Sequence, residues 1–261
     1  MTTNILGQVV GQLVGDLADV EIVMPLGADP HEFEPSAQQA EAMEDADLLV
    51  INGAGFEEGM ADLIEQAVSE GAPVLDAASQ VELTAGDPHI WMDPQRMSAV
   101  VEGLGVRLAG VDGIDSDALA GRVDDELAEL TALDAELADT LGAIPADQRV
   151  LVTNHEVLGY FADRYGFEVL GAVIPSTSTG AQASAGDLEQ LAATIRDAGV
   201  DKIFAETTQS ADLAEALADE VGEDVQVVEL FTESLGEPGS GAETYAAMMR
   251  ANARLIADGL S

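Results

Sequence analysis

A chain of 261 residues with 50 acidic side chains against nine basic ones carries a formal net charge of −41, and it has no cysteine. Such a charge excludes nucleic acid and anionic membrane surfaces as partners, because both would be repelled. Without thiols there are no disulfides, no thiolate metal sites and no cysteine nucleophiles, so any transition metal must be held by imidazole and carboxylate. The acidic excess reads first as a surface adapted to a saline solvent and second as a cation-handling property. No apolar run approaches the ~18 residues needed to cross a bilayer. The opening Met1-Thr2-Thr3-Asn4 shows neither a basic nor an apolar export region, so the expectation is a cytosolic protein or an export segment outside this sequence.

In chain order, a helical pattern at about 4–17 is followed by the strand-like "VEIVMP", a helix from Ser36, the strand "ADLLVIN", a helix from Glu57 and the strand "APVLDA". Short apolar runs bounded by Gly, Pro and Asp, alternating with helices, predict a parallel α/β sheet. From Ser116 to Leu141 apolar residues recur at Leu119, Val123, Leu127, Leu130, Leu133, Leu137 and Leu141, with Asp115 or Ser116 placed to cap the start and Pro145 just past the end. That predicts one amphipathic helix of about 28 residues, roughly 42 Å long, rich in Ala, Leu and Asp and therefore stiff. Beyond it the alternation resumes with "RVLVTN", "FEVLGAVI", "DKIFAE" and "VQVVELF", and with helices from near Val157, Ser184, Ser210 and Glu243. The expected architecture is α/β: a lobe over 1–113, a bridging helix and its exit turn over 114–146, and a second lobe over 147–261.

Several catalytic patterns fail on spacing. "NGAGFEEG" places Gly53, Gly55 and Gly59 one residue off the dinucleotide fingerprint and reads as a strand-to-helix turn. His155-Glu156 is followed by Gly159 where a zinc-protease motif needs its second histidine, and neither a P-loop nor G-x-S-x-G occurs.

The three histidines are more informative. Two of them, His31 and His89, stand in the same triplet, as Asp29-Pro30-His31 and Asp87-Pro88-His89, and each is followed two residues on by an aromatic, Phe33 or Trp91. With nine prolines in 261 residues, composition alone places Pro before a given His about one time in thirty. Proline fixes its own φ and extends the residue before it, so the triplet aims the imidazole, and the Asp carboxylate is near enough to brace the loop or the ring. His155 ends the strand "RVLVTNH" in the second half. All three histidines are thus expected at the edge where open α/β sheets bind ligands, a donor set suited to a borderline divalent ion. A carboxylate would complete four-coordination, and two stand at strand ends in the second half, Glu206 in "IFAETT" and Glu233 in "LFTESLGEPG".

Five stretches, "TTNILGQVV", "PLGADPHEFEPS", "DPHIWMDP", "TNHEVLGYFADRYGFEV" and "FTESLGEPGSGAETYAAMMRAN", run nearly end to end. Taken in that order they resemble the metal-binding substrate-binding proteins of ABC importers for zinc and manganese, the ZnuA/TroA-like type. The resemblance implies a periplasmic or extracellular receptor, membrane-anchored in its precursor, that is a monomer and not an enzyme. It would hold Zn2+, or alternatively Mn2+, between His31 and His89 of the first lobe and His155 and Glu233 of the second, and deliver it to a permease. Three departures stand out: Glu233 replaces the family's usual Asp, the export signal is absent from this chain, and so is the His-rich acidic loop of some zinc-specific members. The readings set against this one are a zinc hydrolase using the same three-histidine site, and an adhesin or organic-ligand binder on the same scaffold.

Overall fold

A computed structural model of the chain describes residues 1–222 and 224–260; of the expected second lobe, Glu223 and Ser261 lie outside the described residues. The first half contains α1 (Asn4–Val14), α2 (Ala37–Glu44), β1 (Leu49–Ile51), α3 (Ala61–Glu70), β2 (Val74–Asp76) and α4 (Pro94–Leu108). A long helix, α5 (Ser116–Gly142), follows. The second half contains β3 (Val150–Thr153), α6 (Gly159–Tyr165), β4 (Glu168–Ala172), α7 (Ala185–Ala198), β5 (Lys202–Glu206), α8 (Asp212–Val221), β6 (Gln226–Leu230) and α9 (Tyr245–Gly259). All assigned strand pairs are parallel: β1 with β2, and β4-β3-β5-β6 in the second sheet.

Local chemistry accounts for the helix starts. Ser36 with Gln39 and Ser184 with Asp187 form reciprocal capping boxes on α2 and α7. Asp93 caps α4, with Pro94 in the first turn where its missing N–H costs nothing. Asp115 accepts from the backbone N–H groups of Asp117 and Ala118 and so fixes the start of α5.

The segment "VEIVMP" does not form the expected strand. Its pairing partner is short: Val23 and Met24 donate to the carbonyls of Met1 and Thr2 at 2.9 and 3.0 Å, and Thr2 donates to Val50 at 3.1 Å. Successive N–H groups that both serve one neighbour cannot keep the alternation of a regular ladder, so β-type residues here yield irregular backbone.

The 27 residues of α5 bury Leu119, Leu130, Leu133, Leu137 and Leu141 against α1 and α4 on one side and α6 and α9 on the other. One apolar cluster therefore runs from Ile5 and Leu13 through these leucines to Phe161, Met249 and Ile256. Separate clusters cover the outer faces of the two sheets, one around Met43 and Met60 and one around Ile195, Ile203 and Leu217. No helix among the described residues is long and apolar enough to cross a membrane.

Candidate metal centre

The two Asp-Pro-His triplets adopt the same local turn. Asp29 Oδ1 accepts from the His31 backbone N–H at 2.9 Å, and Asp87 Oδ1 accepts from that of His89 at 3.0 Å. They differ beyond the backbone. Asp87 Oδ1 also lies 2.7 Å from His89 Nδ1 and fixes that ring. Asp29 turns its other oxygen across to the second half, where Thr179 Oγ1 donates at 2.7 Å and Gln209 Nε2 donates as well. The His89 loop is pinned further by Asn52 Nδ2 to the Pro88 carbonyl at 2.9 Å and by Trp91 Nε1 to the Thr232 carbonyl at 2.7 Å.

His155 follows β3 by two residues, and Glu233 follows β6 by three. The Glu233 loop is held from the start of the chain. Asn4 Nδ2 donates to Ser234 Oγ at 3.1 Å, Asn4 Oδ1 accepts from the Leu235 N–H at 2.9 Å, and Ser234 Oγ also accepts from the Gly27 N–H at 2.9 Å.

These elements bring His31, His89, His155 and Glu233 together with all four residues buried, and with one nitrogen or oxygen from each within 4.8 Å of every other. Glu233 Oε1 lies 3.0 Å from His31 Nε2, 3.2 Å from His155 Nε2 and 3.6 Å from His89 Nε2, and the last two nitrogens are 3.2 Å apart. Four donors placed about 2.0–2.1 Å from one ion in a tetrahedron would be separated by about 3.3 Å. Four of the six edges, at 3.0–3.6 Å, bracket that value and all six lie within 4.8 Å, so the three nitrogens and one oxygen suit a four-coordinate cation. A set closed by four protein donors leaves no open position for a reacting water.

Glu206 does not join the inward face. It sits behind His155, its Oε1 against Nδ1, while its Oε2 is buried without a partner. Of the two strand-end carboxylates, the structure thus separates Glu233, among the imidazoles, from Glu206, which braces one of them. Phe56 packs edge-on to His31 at 4.9 Å between ring centres, with Trp91 behind it at 4.7 Å, and excludes water from one side.

The electrostatics follow from this crowding. Burial pushes the Glu233 carboxyl up, but hydrogen bonds from His155, His31 and His89 overcome it and hold the group well below the usual carboxylate range. Burial pushes His155 down, while Glu206 and Glu233 together lift it to about 10. His31 is likewise depressed by burial and raised overall by Glu233. Burial pushes Glu206 up, and His155 only partly offsets it. The cluster thus sets two imidazoles raised in pKa, His31 and His155, against one depressed carboxylate, Glu233.

The Gly-rich turn after β1 is closed to a phosphate. Glu57 fills it, accepting from the N–H groups of Asn52 and Gly53 at 2.6 and 3.1 Å and from Thr2 Oγ1 at 2.7 Å. Sequence reasoning did not single out Glu58, whose Oε1 lies 3.3 Å from His31 Nδ1, nor Thr179 and Gln209, which tie the first triplet to the second half. Nothing local marks those positions, because all three act across loops distant in sequence.

Residues 1–259 match the family model described as ZnuA, zinc-uptake complex component A, periplasmic. The zinc-binding protein TroA of Treponema pallidum is 34% identical over 251 residues, covering 92% of this chain and 80% of the relative. The manganese-binding lipoprotein MntA of Halalkalibacterium halodurans is 30% identical over 262 residues, covering 99% and 86%. The solved structure of the periplasmic zinc-binding protein TroA from Treponema pallidum superposes with a TM-score of 0.93 at 29% identity, covering all of this chain and 97% of the other.

Proposed function

The chain belongs to the ZnuA family of zinc-uptake components, which are binding proteins and not enzymes, and from that premise we propose that it is a receptor holding one divalent transition metal between His31, His89, His155 and Glu233. The observation that carries this reading is the convergence of three Nε2 atoms and one carboxylate oxygen in a buried cluster, with four of its six edges at 3.0–3.6 Å and all within 4.8 Å. Zinc is the favoured cargo over manganese, because three imidazoles suit a borderline ion better than one that prefers oxygen donors. Relatives named for zinc and for manganese stand at similar distance, so the donor chemistry carries that choice. The receptor would work as a monomer outside the cytoplasmic membrane, anchored there in its precursor, and pass its ion to an ABC permease.

The test is elemental analysis of the purified protein, followed by competitive zinc and manganese titration of wild type and His89→Ala. One zinc per chain is expected, with zinc displacing manganese. His89→Ala should lose more than the roughly 10–100-fold that removal of a mere supporting contact costs. A wild type that takes up neither metal, or a His89→Ala protein that binds as wild type does, would overturn the assignment.

A further inference from the structure

Each histidine of the cluster presents Nε2 inward and leaves Nδ1 to be held from outside. For His89 the partner is Asp87, 13% exposed, at 2.7 Å; for His155 it is Glu206, 1% exposed. His31 differs. Its Nδ1 is buried and has no hydrogen-bond partner among the described residues, and the nearest carboxylate oxygen, Glu58 Oε1, stands 3.3 Å away on a side chain that is 50% exposed.

The backbone under Glu58 is fixed on both sides. Glu57 is buried and bonded to Thr2, Asn52 and Gly53. The Gly59 N–H donates to the His31 carbonyl at 3.0 Å, and a Cβ at Gly59 would meet the Phe33 carbonyl oxygen at 2.5 Å. The turn carrying Glu58 is therefore clamped against the His31 loop, and only the carboxylate itself is free to swing.

We propose that Glu58 is a positioning residue for His31 and sets how fast the bound metal leaves. The inference rests on the receptor reading above. An imidazole that gives Nε2 to a cation carries its proton on Nδ1, and that N–H then points at Glu58. A small rotation of the carboxylate closes 3.3 Å to the ordinary range of about 2.7–2.9 Å for a charge-assisted bond. Because Glu58 faces solvent, water competes for it, as it does not for Glu206. His31 is consequently the least firmly braced of the three imidazoles, and release begins with it.

The experiment loads wild type, Glu58→Ala and Glu58→Gln with zinc and follows its loss to an excess of a zinc-binding dye, alongside equilibrium titration and thermal melting of the metal-free proteins. Glu58→Ala should release zinc about tenfold faster and bind it about tenfold more weakly. Its metal-free melting temperature should match wild type, since no hydrogen bond is lost. Glu58→Gln keeps a carbonyl acceptor for Nδ1–H and should return to within about threefold of wild type. Release from Glu58→Ala within twofold of wild type, release from Glu58→Gln as fast as from Glu58→Ala, or a lowered metal-free melting temperature would each overturn the proposal. A wild type that binds no zinc would overturn the receptor reading and this inference with it.

Discussion

Replacing Glu206 by Gln removes the charge that faces His155 Nδ1 and keeps the shape of the side chain. In the metal-free protein Glu206 and Glu233 hold the His155 pKa at about 10 against burial. A metal must displace that proton, so at about pH 7.5 apparent affinity is reduced by about 2.5 log units, roughly 3 kcal/mol. Between about pH 6.5 and 9 the logarithm of apparent affinity should therefore rise about one unit per pH unit through His155 alone.

In Glu206→Gln the proton is held less tightly and the ring is also a poorer ligand. The two effects oppose each other at low pH, where the proton must be displaced, and only the second survives once the ring is already deprotonated. The deficit against wild type should thus be small near about pH 6.5, grow as pH rises, and reach 10–100-fold only above about pH 10. The assay is competitive zinc titration with a chelator of known proton affinities at several pH values. A deficit that stays constant across that range would refute the account, because Glu206 would then not govern the proton on His155.

The same proton stabilises the metal-free fold. A histidine whose folded pKa is raised from 6.5 to about 10 contributes stability that is complete below about pH 6.5 and is lost as pH rises toward 10; metal-free melting temperature should fall over that interval, and a flat profile would contradict it. Leu133→Ala, at a fully buried position on α5, should cost about 2–5 kcal/mol in denaturant unfolding through the cavity it leaves. A loss under about 1 kcal/mol would show that α5 is less tightly packed than described. Because α5 is continuous and packed by both halves, metal addition should leave the scattering profile nearly unchanged, and a wide lobe rotation would refute that stiffness.

The histidines were legible in the sequence because they are scarce and two are aimed by the same Asp-Pro pair. The long helix was legible because seven apolar positions kept a helical spacing over 23 residues. Glu233 and Glu206 could not be told apart by pattern, since they end up at the same edge of adjacent strands, with Glu206 registered against Leu230. Which one faces the imidazoles depends on how the loop after β6 is tied to Trp91 and Asn4, contacts spanning 141 and more than 200 residues of sequence. "VEIVMP" misled because β-branched composition reports a fit to a pleated surface, and here the neighbouring backbone offers only two residues to pair with. Glu58 was one of fifty carboxylates, and its place beside His31 comes from a loop-to-loop hydrogen bond that leaves no periodic trace.

The bond between Asn4 and the loop carrying Glu233 also orders events in time. Asn4 leaves the ribosome 230 residues ahead of Ser234, so the two cannot meet until residue 234 has been made. A nascent chain that stops short of residue 233 already holds all three imidazoles but lacks both the carboxylate and the segment that Asn4 anchors. The four-donor cluster therefore forms only after both halves of the chain have been made.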